Sequence, residues 1–137
     1  MLLNKRKYLF FIKFSIINSL FLSLLAGCAL YPNKEPLVIN KYDEAGNEHL
    51  YKTINSDEKV KEVKKVLNNA KWANSKFKME RKPDYTFYFD NPNAKAVEYR
   101  LWITQNKKQI EVSEGIGNFA KLSVKDSEII FSIFEIK

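Results

Sequence analysis

Few side chains in this 137-residue sequence could do acid–base, nucleophilic or metal chemistry, and their spacing narrows the choice. His49 is the sole histidine, so a Ser/His/Asp or Cys/His triad would have to use it. It stands at the start of a β-rich run with no distinctive partner in sequence and reads as a surface histidine. A zinc site would need several His or Cys ligands, and only His49 and Cys28 exist. Asp84 and Asp90 bracket one strand-like run. In a regular strand they would lie about 20 Å apart, too far to act on one glycosidic bond. Asp43, Glu44 and Glu48 crowd one turn without the calcium-loop pattern and read as solvated charge. Gly115-Ile116-Gly117 lacks the spacing and the following helix of a phosphate loop. These residues predict no catalytic constellation, no cofactor and no metal.

Cys28 is the one nucleophile with a distinctive setting. Lys5, Arg6 and Lys7 form a cationic head, and Tyr8 to Leu25 is largely apolar. Ala26 and Gly27 are small residues directly before the cysteine. This order is that of a secretory signal, to be set aside before the fold is read. Leu25-Ala26-Gly27-Cys28 resembles the bacterial lipobox at all four positions. The resemblance implies a signal peptide over 1–27, cleavage before Cys28, and diacylglycerol and palmitate-type acylation there. Residues 28–36 then form a proline-containing lipidated tether, and 37–137 a single domain. The alternative is an uncleaved helix from Tyr8 to Ala29, long enough to span a bilayer. Because the basic head precedes the apolar run, both readings put the domain on the extracytoplasmic face of the cell membrane.

Of the 23 basic residues, four lie in the excised part together with none of the 16 acids, so the mature charge is +3 rather than +7. That removes the argument for a nucleic-acid partner. With Cys28 acylated, no disulfide can form, and the domain must rest on an ordinary core.

The elements that would position any site follow from periodicity. Leu37 to Tyr42 and His49 to Ile54 are β-rich runs around a turn-forming segment, and predict an antiparallel hairpin. Asn55 or Ser56 can cap a helix whose Val60, Val63, Leu67 and Ala70 make one apolar stripe. Lys59, Lys61, Lys64 and Lys65 lie mostly off it, as a solvated face or a contact for anionic lipid. From Trp72 the period becomes two. Asp84 to Phe89, Val97 to Ile103, Ile110 to Val112 and Phe119 to Leu122 read as strands. Ser123, with Asp126 three residues on, opens a last helix bearing Ile129, Ile130, Ile133 and Phe134. The expected fold is α+β: an antiparallel sheet of a hairpin plus a four- or five-strand meander, packed by two helices in the order ββα, strands, α.

On this plan Phe87, Phe89, Leu101 and Ile103 face the helices. Tyr88, Arg100 and Trp102 share the other face as an aromatic and cationic patch. Such a patch suits a partner surface, unless the N-terminal hairpin folds over it.

The stretch from the first helix onward resembles the YhfM-like domain of Bacillus-type lipoproteins. The likeness is carried by Val60 to Trp72 (VKEVKKVLNNAKW), Pro83 to Phe89 (PDYTFYF), Tyr99-Arg100-Leu101-Trp102-Ile103, and Leu122 with Asp126 to Ile130. It implies a Gram-positive lipoprotein of uncharacterised role and supplies no active-site residues. The expectation is a non-enzymatic binding or protein-interaction module of the cell envelope. Its partner beyond the membrane would be an envelope protein or a cell-wall polymer. The alternative is an envelope hydrolase with an atypical site among Asp84, Asp90, Glu98 and Glu111.

Overall fold

A computed structural model describes residues 34–74 and 79–136. The signal segment, Cys28 and most of the tether lie outside the described residues. The chain order is β1 (Leu37–Tyr42), β2 (Glu48–Ile54), α1 (Asp57–Asn69), β3 (Ala73–Asn74), β4 (Tyr85–Phe89), β5 (Tyr99–Ile103), β6 (Ile110–Glu114), β7 (Asn118–Lys121) and α2 (Val124–Phe134). The expected α+β class is found. Among the described residues the seven strands form one antiparallel sheet in the order β2-β1-β4-β5-β6-β7-β3.

The alternation of β4 and β5 sets the two faces of the sheet. Leu37, Ile39, Phe87, Leu101, Ile110, Val112 and Ala120 are buried, and the strand register brings them onto one side. Both helices contribute to the same core, through Val60, Val63, Val66 and Leu67 of α1 and Ile130, Ile133 and Phe134 of α2. Phe87 lies at its centre. It is stacked on Tyr99 with centroids 5.1 Å apart and meets Phe134 edge-on at 5.3 Å.

The helix ends are closed by side chains and backbone turns. Ser56 accepts from the Lys59 amide, and Asp57 and Glu58 occupy the first turn, where the helix dipole favours negative charge. At the other end of α1 the Leu67 carbonyl accepts both the Ala70 amide at 3.2 Å and the Trp72 indole N–H at 2.9 Å. Ser123 Oγ accepts from the Asp126 amide at 3.1 Å and donates to its carboxylate at 2.7 Å. α2 ends at Glu135 in the left-handed region (φ 59°), so the Ile136 amide reaches back to the Phe131 carbonyl at 3.0 Å.

Three features differ from the sequence expectation. The β1–β2 hairpin does not fold over the second face. It joins the sheet edge through β1 pairing with β4, Ile39 opposite Phe87, so that among the described residues neither helix nor hairpin covers that face. β3 adds a two-residue strand against β7 at the far edge, Ala73 opposite Phe119, too short to produce any periodicity. Glu35 and Pro36, read as tether, are held by the fold. Glu35 pairs with Lys64 and accepts from Asn91, and the Pro36 carbonyl accepts the Asp90 amide at 2.9 Å.

Candidate functional site

The second face of the sheet carries a cleft of about 860 Å³. Its floor comes from alternate positions of β5 and β6. Arg100 lies opposite Ser113, and both line the cleft with Trp102, whereas Glu111, opposite Trp102, does not. Tyr42 of β1 and Phe119 of β7 stand at its two sides, and the β6–β7 turn, with Ile116, forms one rim. Ile116 is 93% exposed, unusual for a large aliphatic side chain. Gly115 turns the chain there with φ 56°, a conformation that glycine adopts without steric cost.

The opposite rim is the segment before β4. The Trp102 indole N–H donates to the Arg81 carbonyl at 3.1 Å, which fixes the backbone of this segment beside the indole. The Arg81 guanidinium donates to Asp84 at 2.9 Å and to the Ile103 carbonyl at 2.8 Å, while Asp84 accepts the Ile103 amide at 2.7 Å. This double clamp ties the corner to the end of β5. Asp84 is thus a positioning group in the fold.

The expected partner surface of Tyr88, Arg100 and Trp102 is therefore redistributed. Trp102 is only 6% exposed and belongs to the cleft floor, so it is not an exposed flat patch. Arg100 lines the cleft with its side chain 42% exposed. Tyr88 is half-buried beside Val38 and does not line the cleft.

Two polar groups at the floor have unused capacity. Arg100 donates through Nε to Glu98 at 2.9 Å, and its two terminal nitrogens meet no acceptor among the described residues. Ser113 Oγ is buried with no hydrogen-bond partner. Tyr42 feels the same surroundings. Burial raises the pKa of its hydroxyl, the carboxylates of Glu48 and Glu98 add to the rise, and Arg100 opposes it. Sequence reasoning missed Ser113 because it ended β6 at Val112. It missed Tyr42 and Phe119 because nothing local brings β1 and β7 to one cleft.

The remaining candidates separate. Asp90 follows the last residue of β4 and does not line the cleft. Glu98 lies in it, joined to Arg100. Asp43, Glu44 and Glu48 do not converge: Glu48 accepts from Thr86 and Asn40, whereas Asp43 serves its own turn. Among the described residues no group of three His, Cys, Asp or Glu could hold a metal ion.

His49, which had no partner in sequence, has one in space: its Nε2 lies 2.9 Å from Asp43. The Asn47 amide, bonded to Asp43 at 2.8 Å, is the main cause that lowers the Asp43 pKa from 3.8 to about 2, and His49 is the next. A lowered carboxylate pKa stabilises the fold above the ordinary value and loses that contribution as pH falls through the folded one. The Asn47 amide resonance is therefore expected to titrate with a midpoint near pH 2. A midpoint near 3.8 would dissociate this turn from Asp43.

This arrangement defines a class: an α+β domain with helices on one face of an antiparallel sheet and a side-chain-lined cleft on the other. Residues 33–137 match the family described as YhfM protein, and the chain belongs to it. No curated protein and no solved structure matches the chain.

Proposed function

We propose that this chain is an exported lipoprotein, held on the extracytoplasmic face of a cell membrane by lipid on Cys28, whose domain is a non-enzymatic binding module for an envelope component. The observation that carries the binding role is the second-face cleft, whose floor presents donors that the protein itself leaves unused. The anchor rests on the basic head, the apolar run and Leu25-Ala26-Gly27-Cys28.

The physical consequences are consistent with such a role. Acyl chains contribute about 0.8 kcal/mol per buried CH₂, so attachment by two or three of them is stable where a single chain would be marginal. Five residues, 29–33, separate Cys28 from the first described position, a reach of at most about 20 Å over six peptide links. The domain would then search a thin layer beside the headgroups, where weak affinity is enough because effective concentration is high. Among the described residues no helix is long and apolar enough to cross a membrane, so the lipid would be the anchor if cleavage occurs before Cys28.

Intact-mass analysis of the chain recovered from bacterial membranes tests the anchor. The expected species begins at Cys28 and carries the added mass of a diacylglyceryl group. A species retaining Met1 with a free thiol would overturn lipid anchoring.

A further inference from the structure

We propose that the second-face cleft takes an acidic glycan, with the carboxylate or phosphate of a sugar unit held between Arg100 and Ser113. The inference rests on the binding role proposed above and supplies its ligand class.

Arg100 and Ser113 are directly opposed on neighbouring antiparallel strands and point to the same face. Side chains so placed have Cβ atoms about 5 Å apart, close enough to share one oxyanion. The guanidinium contributes two free terminal nitrogens in a planar fork, the geometry that matches carboxylate and phosphate oxygens. Ser113 contributes a hydroxyl that is buried and unpartnered in the free protein. A buried polar group without a partner costs stability, and a ligand oxygen would remove that cost.

The rest of the cleft selects the body that carries the anion. Acceptors stand beside the donors: the second carboxylate oxygen of Glu98, and the Asn118 carbonyl oxygen, whose amide nitrogen is spent on Glu114 at 2.9 Å. Interleaved donors and acceptors suit a polyhydroxylated ligand. The Tyr42 ring at one side offers an apolar edge to a sugar ring. Tyr42 and Phe119 stand on β1 and β7, four strand spacings or about 19 Å apart, which leaves room for more than one ring.

An extended peptide fits less well. The cleft lies on a sheet face, where the main-chain groups are spent in the strand ladders. Strand addition, the usual source of peptide affinity, needs a free sheet edge.

The test is a titration of the full lipidated chain in detergent, read by amide chemical shifts around Ser113. The probes are glucuronate and glucose 6-phosphate, with glucose as the neutral sugar and triglutamate as the acidic peptide. At least one of the two sugar acids should saturate the shifts more tightly than glucose or triglutamate, and the tighter arm names the anion. Arg100→Gln should weaken that binding about tenfold or more, since a hydrogen-bonded charge is lost. Ser113→Ala should weaken it several-fold while leaving the melting temperature equal or higher, because it deletes an orphan group. The second variant keeps the test decisive if Arg100→Gln fails to fold. Glucose binding as tightly as both acids, or triglutamate binding more tightly than either, would overturn the proposal. So would a Ser113→Ala chain that binds as the unsubstituted one does. A lipid-bearing mass spectrum combined with any of these outcomes would reject the ligand while leaving the anchor intact.

Discussion

Phe87→Ala is expected to destabilise the domain by about 3–5 kcal/mol, the range for deleting a fully buried aromatic ring that the surroundings cannot replace. Phe87 is 1% exposed and stands on β4, between Ile39 of β1 and Tyr99 of β5. Its ring is packed on three sides by others. Tyr99 is stacked on it with an interplanar angle of 12°, and Phe134 and Phe89 approach edge-on at 82° and 90°. Truncation therefore loses transfer free energy, three favourable ring contacts and the link between sheet and α2. A loss of 3 kcal/mol should lower the melting temperature by roughly 12 °C or more in a domain of this size. Urea unfolding followed by circular dichroism measures it directly. A loss below 1 kcal/mol would mean that α2 collapses into the gap, and that the aromatic cluster is not the centre of the core.

The role of Phe87 could be read from sequence because it depends on local alternation. Tyr85-Thr86-Phe87-Tyr88-Phe89 alternates with period two, so one decision about which side is dry assigns the whole strand. The same holds for α1, where Val60, Val63 and Leu67 announce their stripe and Ser56 its beginning. What could not be read is everything set by non-local pairing. Whether the β1–β2 hairpin extends the sheet or covers it depends on β1 meeting β4 across more than forty residues, and no local pattern encodes that choice. The fate of Trp102 depended on the same step. Its alternation put it on the second face, but its burial comes from the Arg81 segment, which a hydrogen bond brings beside it.

The site was legible only in part for a related reason. Arg100 and Trp102 were found because β5 alternates. Ser113 was not, because Ser-Glu after Ile-Glu-Val has no apolar signal to extend the strand. Its position opposite Arg100 exists only once β5 and β6 are in register. A polar residue that completes a site across two strands is invisible to methods that weigh one strand at a time.

Ser127 tests whether a buried polar group can matter to the fold as much as a buried apolar one. It is fully buried in α2, on the face that otherwise carries Ile130, Ile133 and Phe134. Its hydroxyl donates to the Ser123 carbonyl at 2.8 Å and accepts the Ile110 amide at 3.0 Å, so one side chain joins the first turn of α2 to the start of β6. Ser127→Ala removes the acceptor and leaves the Ile110 amide buried without its partner, at a cost of about 1–3 kcal/mol. Ser132→Ala makes the same chemical change at an exposed position of the same helix. There the effect should be near zero, or slightly stabilising because alanine is the better helix former. The two variants differ in burial and hydrogen bonding, so their difference in unfolding free energy isolates the relay. Hydrogen exchange supplies the second reading: the Ile110 amide should exchange faster in Ser127→Ala and unchanged in Ser132→Ala. Equal stability for the two variants would mean that water or a shift of β6 takes over the bond, and that the dock between α2 and the sheet is apolar contact alone.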